Sequence, residues 1–212
     1  MICVSIKEKS PQRLGELVKN ADMAEIRLDL IKPSLPLVRR IFSGSPVEMI
    51  ATCRPGEYDD KRRAVLLKQS VDAGAGWIDM ETDSETSFRE DVASYATNKG
   101  CGLIISYHNF TTTPTAEELE QITAECFKMG AGVAKIACMA FSGSDVAKIL
   151  SLYSKFENLV AISMGEAGKI SRVAALKLGA PFTFASAGAD ASTAPGQMTE
   201  GQIRKMMEIL HI

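Results

Sequence analysis

The sequence predicts a parallel (β/α)8 barrel, an α/β fold with eight strands, on three observations. Eight short strand-like runs recur at intervals of about 20 to 30 residues, the spacing of successive βα units. Segments with apolar residues at helical spacing lie between them. The G-x-G-x-x-G turn of a dinucleotide-binding open sheet is missing after the first run, where IKEKSP follows, so a doubly wound sheet is the weaker alternative. A chain of 212 residues sits near the lower size limit of an eight-unit barrel. No Pro/Gly/Ser-rich linker divides it, so residues 1–212 read as one domain.

The strand-like runs are ICVSI (2–6), MAEIRLDL (23–30), VEMIATCR (47–54), WIDMET (77–82), GLIISYH (102–108), VAKIACM (133–139), LVAISMG (159–165) and FTFASAG (182–188). After the first comes SPQRLGELVKNA (10–21), with Ser10 as N-cap and Pro11 at the first helical position. KRRAVLLK (61–68), the densest basic cluster, reads as the exposed side of an amphipathic helix. In TPTAEELEQITAECFKMG (113–130), Thr115 and Glu118 have the spacing of a capping box and Gly130 is a C-terminal stop. SGSDVAKILSLYSKF (142–156) and MTEGQIRKMMEIL (198–210) are the last two helical segments read.

Composition narrows the function classes. Hydrophobic residues make up 46% of the chain, enough for a sizeable core. A net charge of −2 gives no reason to expect nucleic acid or a membrane surface as partner. The five cysteines form no CxxC pair or Cys/His cluster. They read as reduced core thiols of a cytoplasmic protein, and neither a metal site nor a disulfide framework is expected. No signal-peptide pattern and no apolar run of membrane-spanning length is visible.

Strands of a parallel barrel are usually apolar on both faces, because both are covered. Several runs here alternate instead. Glu25, Arg27 and Asp29 share one face of their run; Thr52 and Arg54, Asp79 and Glu81, and Ser106 and His108 share faces of theirs. The apolar faces must meet the helices, so the polar ones point into the barrel. Charges buried there have to pair, for example Glu25 with Arg27 and Arg54 with Glu81, or they have to bind a ligand. A polar pocket at the C-terminal ends of the strands is where barrel enzymes place their sites.

Lys135 lies in the middle of an apolar run, on the same face as Ala137 and Met139. His108 ends the neighbouring strand, about 4.8 Å away. A desolvated lysine near Arg27 and Arg54 has reason to present a neutral amine, and such an amine attacks a ketone to form an iminium. The iminium acidifies the adjacent carbon, and a histidine can remove its proton near neutral pH. Arginines suit the hydroxyls or carboxylate of an oxygen-rich substrate.

In order along the chain, EIRLD, TCR, IDME, SYHNF, AKIA, ISMG…ISR and APGQ resemble the type I 3-dehydroquinate dehydratases, over about Ser5 to Gln197. The resemblance implies a (β/α)8 barrel, often a homodimer, that needs no cofactor and converts 3-dehydroquinate to 3-dehydroshikimate in the shikimate pathway. It implies that Lys135 forms the Schiff base and that His108 is the base and then the acid. It implies that Glu25, Arg27 and Arg54 hold substrate hydroxyls, that Arg172 binds the carboxylate, and that Gln197 sits on a loop closing over the substrate. Ser5, Met164, Phe184 and Ser186 would line the pocket. Thr193 stands where the family has a serine before APGQ. Glu57, in RPGEYDD, is the residue offered for orienting His108, in place of the family's E-G-G carboxylate. Two other readings are a class I aldolase, which would usually carry a Gly-rich phosphate-binding turn, and a non-catalytic sensor, which would be expected to lose Lys135 or His108.

Overall fold

The structure is a computed structural model that describes residues 1–212. Its eight strands are β1 (Ile2–Ile6), β2 (Met23–Arg27), β3 (Glu48–Thr52), β4 (Trp77–Glu81), β5 (Gly102–Asn109), β6 (Val133–Met139), β7 (Leu159–Met164) and β8 (Thr183–Ser186). They form one parallel sheet in the order β7-β6-β5-β4-β3-β2-β1-β8, curled into a nearly closed (β/α)8 barrel. The helices around it are α1 (Pro11–Asn20), α2 (Leu28–Ile31), α3 (Leu35–Phe42), α4 (Asp60–Asp72), α5 (Thr86–Asn98), α6 (Ala116–Lys128), α7 (Gly143–Ser151), α8 (Ser171–Lys177) and α9 (Glu200–Leu210).

The helix starts follow from local chemistry. Ser10 accepts a hydrogen bond from the Arg13 amide ahead of Pro11. Thr115 and Glu118 form a reciprocal capping box, satisfying amides that the helix itself leaves unpaired. Thr199 and Gln202 do the same for α9.

The second strand is shorter than its apolar pattern. It stops at Arg27, and Leu28–Ile31 turn into the single-turn helix α2, closed by Lys32 in the left-handed region at φ 56°. Asp29 therefore does not continue the strand face. Its carboxylate folds back onto Arg27, at 2.7 and 3.1 Å. The 61–68 cluster also differs from expectation. Arg63 is buried on α4, donating to the Cys53 carbonyl at 3.0 Å and lying 4.4 Å over the Phe88 ring. Its long side chain packs between α4, α5 and the end of β3, which charge counting alone does not show.

Strand alternation sorts the core. Outward residues such as Val4, Ile26, Ala51, Ile78, Ile105 and Ile136 pack under the helices in one cluster of 35 buried residues. Each Val or Ile among them, fully buried, is worth about 1.5–3 kcal/mol. Inward residues change character along each strand. At the N-terminal ends, Cys3, Met23, Ile50, Ile104, Val133 and Val160 fill the barrel, with Trp77 packed against them. Gly102 and Gly132 make room for that indole: a Cβ on Gly102 would lie 2.4 Å from Trp77 Cε3, and one on Gly132 3.2 Å from Cζ3. Two residues further along, the same faces turn polar on β1 to β6, as at Ser5, Glu25, Thr52, Asp79, Ser106 and Lys135. All five cysteines are buried free thiols, and burial pushes the Cys53 and Cys138 thiols up to about 12.

Candidate active site

Parallel register stacks the polar inward residues into one layer. Ser5 pairs with Glu25, Thr52 with Asp79, Glu81 with Ser106, and Ser106 with Lys135. At the centre, Lys135 Nζ lies 2.9 Å from Asp79 Oδ2, 3.8 Å from Glu25 Oε1 and 4.0 Å over the Phe184 ring. Asp79 also accepts from Arg54 Nη2 at 2.8 Å and from Ser106 Oγ at 2.6 Å. Glu25 accepts from Ser5 Oγ at 2.6 Å and from Thr52 Oγ1 at 2.9 Å. The sequence places Lys135 among arginines; the structure matches its charge with two buried carboxylates. Of the pairs expected, Arg54 does reach Glu81, at 3.4 Å, whereas Arg27 pairs with Asp29 rather than Glu25.

The electrostatics follow from this packing. Burial favours protonation of Asp79 and Glu25, but neighbouring cations outweigh it, Arg54 and Lys135 for Asp79 and Lys135 and Arg27 for Glu25. Both carboxyls end below their ordinary values. Burial, then Arg54 and Lys135, holds the His108 imidazole well below its usual value, so it is neutral at physiological pH. His108 stacks on Phe110, with ring centroids 6.0 Å apart.

Arg172 stands on the wall opposite. The turn after β7 delivers it: Ser171 Oγ receives the Ser163 amide at 2.8 Å and donates to the Gly168 carbonyl at 2.6 Å, starting α8 under the mouth. Arg172 is 1% exposed. It donates to the Phe184 and Gly196 carbonyls at 3.2 and 3.3 Å, and its Nη2 has no partner. Burial lowers it only to about 10, so it remains a cation. Among buried charges here, it is the one that lacks an anion.

Over the mouth lies the loop after β8. The Gly165 amide donates to the Pro195 carbonyl at 3.2 Å, and a Cβ on Gly196 would fall 2.1 Å from the Gly165 oxygen. Lys7 holds the Ser192 carbonyl at 2.8 Å. Gln197 Oε1 receives the Thr193 amide at 2.7 Å, and its Nε2 reaches toward Ser5 Oγ at 3.4 Å.

These elements enclose a cavity of about 350 Å³. Ser5, Glu25, Arg27, Arg54, His108, Lys135, Met164, Arg172, Phe184, Thr193 and Gln197 all line it. Two residues named from the sequence do not. Ser186 is buried with its hydroxyl against the Met198 carbonyl at 3.4 Å, one step beyond the lining. Glu57 is 60% exposed and pairs with Lys32 at 2.8 Å, because Gly56, at φ 129°, turns the chain away from the pocket. Glu81, not Glu57, is the carboxylate beside His108, with Oε1 3.5 Å from Nδ1. Glu81, Phe110 and Ile162 line the cavity and Asp79 anchors its lysine, four residues with no site role expected from the sequence. Period-two alternation already marked Asp79 and Glu81 as inward.

No group of three or more His, Cys, Asp or Glu side chains is placed to hold a metal ion, and no helix is long and apolar enough to cross a membrane. Fold and pocket together define a (β/α)8-barrel enzyme with a polar chamber built around a buried lysine, at the end of the barrel where such enzymes work.

Comparison with known proteins gives the family. The profile of type I 3-dehydroquinase matches residues 2–212. The 3-dehydroquinate dehydratase of Methanothermobacter thermautotrophicus is 36% identical, over 97% of this chain and 95% of its own. That of Desulfotalea psychrophila is 33% identical, over 96% and 95%. The crystal structure of the Aquifex aeolicus 3-dehydroquinate dehydratase superposes with a TM-score of 0.85 at 27% identity, over 100% of this chain and 99% of that one. The type I enzyme of Clostridium difficile, solved with covalently modified comenic acid, gives 0.86 at 25% identity, over 99% and 91%. The chain belongs to the type I 3-dehydroquinase family, which are hydro-lyases.

Proposed function

We propose that this protein dehydrates 3-dehydroquinate to 3-dehydroshikimate and water, in the shikimate pathway, through a Schiff base on Lys135. The observation that carries the reading is the pairing of two cations across one cavity. Lys135 is buried with matched charge, while Arg172 has a free Nη2 and no anion. A small substrate with a carboxylate at one end and a ketone at the other fits that pattern, since the carboxylate completes Arg172 and brings the ketone to the lysine.

The chemistry then uses residues already in place. Neutral His108 takes a proton from the Lys135 ammonium and the freed amine adds to the ketone; the proton returns to the hydroxyl so formed, which leaves as water and gives the iminium. Neutral His108 takes the proton from C2, giving an enamine and an imidazolium. The imidazolium protonates the departing C1 hydroxyl, which leaves as water, and hydrolysis of the iminium returns the lysine and the product. Glu25, Arg27 and Arg54 face the ring hydroxyls. The loop bearing Thr193 and Gln197 keeps bulk water from the iminium until elimination is done.

Borohydride added with 3-dehydroquinate tests this. The expected result is irreversible inactivation, with the reduced adduct on the peptide containing Lys135 and, without borohydride, growth of the conjugated enone absorbance. An adduct on another lysine, or none, rejects the mechanism. Two finer proposals come from the family likeness, a cytoplasmic setting and a homodimer. Light scattering should give twice the 22.9 kDa chain mass, and a single-chain mass rejects the dimer.

A further inference from the structure

His108 has an unmet need on the side away from the solvent. Its Nδ1 is buried and unpartnered. Facing it, at 3.5 Å, is Oε1 of Glu81, the last residue of β4, and Oε2 of the same carboxylate is also buried without a partner. The two side chains are 13% and 14% exposed, so water does little to satisfy either. Arg54 Nη1 lies 3.4 Å from the same Oε1 and holds the carboxylate from the other side. A shift of about half an ångström brings imidazole and carboxylate to hydrogen-bond length. The exposed Glu57, tied to Lys32, is not placed for this work.

We propose that Glu81 is the positioning residue for His108. Its carboxylate accepts the Nδ1 proton and so fixes the neutral tautomer that leaves the Nε2 lone pair for the substrate. The inference rests on the dehydratase reading for its chemical consequence, although not for its geometry. In the reaction the C2 proton passes to Nε2 and the C–H electron pair enters the enamine. The imidazolium so formed keeps its proton on Nδ1 and donates it in a hydrogen bond to Glu81, which stays ionised. The same Nε2 proton then goes to the leaving hydroxyl, and neutral His108 is regenerated.

Several charges face the imidazole. Arg54 beyond β3, Lys135 on β6 and Arg27 on β2 oppose its protonation, while Asp79 and Glu81 on β4 favour it. Removing the Glu81 charge leaves the cations less opposed. In Glu81→Gln the acid limb of the kcat profile should therefore move to lower pH.

The test is nitrogen NMR of the free protein, which has only two histidines, with His211→Gln assigning the signals. His108 should be the Nδ1–H tautomer in the parent and lose that preference in Glu81→Gln, with Glu81→Asp restoring part of it. kcat of Glu81→Gln should fall at least about 10-fold, a part of what proton transfer supplies, with KM within about threefold. Iminium trapping on Lys135 should persist. Unchanged Nδ1–H signal in Glu81→Gln overturns the proposal, as does a larger kcat loss in Glu57→Gln than in Glu81→Gln. Failure to trap Lys135 in the parent would instead remove the dehydratase reading, while the tautomer measurement still decides the role of Glu81.

Discussion

At the scale of single residues, the site depends on a buried anion that touches both Lys135 and Arg54. Asp79 accepts three hydrogen bonds, from Lys135, Arg54 and Ser106. Exchanging it for a neutral amide leaves two buried cations with less counter-charge, and breaking a buried pair from one side costs about 3–5 kcal/mol. Asp79→Asn should lose stability of that order in urea unfolding and should lose activity as well, since the lysine is no longer held at the cavity floor. A loss below about 1 kcal/mol, the worth of an exposed pair, would mean that Asp79 is not the anchor. Alternation marks both Asp79 and Glu81 as inward and does not separate them; the importance of Asp79 comes from partners just beyond β3, on β5 and on β6.

Among the elements, the loop after β8 is the one whose conformation the pocket needs. It is seated by a glycine-on-glycine crossing. Gly196 has φ 67° and leaves no room for a Cβ beside the Gly165 carbonyl. Gly196→Ala combines a left-handed backbone with a direct clash, so the loop should lift rather than the barrel unfold. Backbone strain of this kind costs about 1–3 kcal/mol. The expected outcome is a higher KM, because Arg172 loses the Gly196 carbonyl and Gln197 loses its place near Ser5. Limited proteolysis within 190–199 should also be faster than in the parent. Equal cleavage rates and an unchanged KM would show that the loop does not depend on this crossing.

For the molecule as a whole, the polar layer links stability to pH. Asp79 and Glu25 have folded values below their ordinary ones, near 3.8 and 4.5. Their contribution is complete above those values and is lost as the pH falls, because the unfolded chain takes up protons that the fold refuses. His108 works in the same direction from higher pH. Its folded value is depressed below 6.5, so stability declines as acid protonates only the unfolded imidazole. Glu81 opposes this, since burial raises its value and its contribution is lost as the pH rises through it. The expected result is a fall in unfolding free energy between pH 7 and 5, with a slope approaching about 1.4 kcal/mol per pH unit from one proton. His108→Gln should flatten that slope. An equal slope in parent and variant would assign it to other groups.

The sequence by itself determined the barrel, because eight apolar runs at βα spacing with period-two alternation leave few other ways to cover both faces of a sheet. It also determined which side chains enter the pocket from the strands, since alternation fixes a side chain's direction once a strand is given; Lys135, His108, Glu25 and Arg54 were legible for that reason. The family resemblance, not spacing, supplied Arg172 and Gln197. The tertiary structure alone decided the partners. Whether Glu25 pairs with Arg27 or with Ser5, Thr52 and Lys135 depends on register between strands far apart in the chain. Whether Glu57 or Glu81 stands beside His108 depends on where Gly56 turns a loop. Those choices are made across space, between residues whose separation along the chain carries no periodic signal.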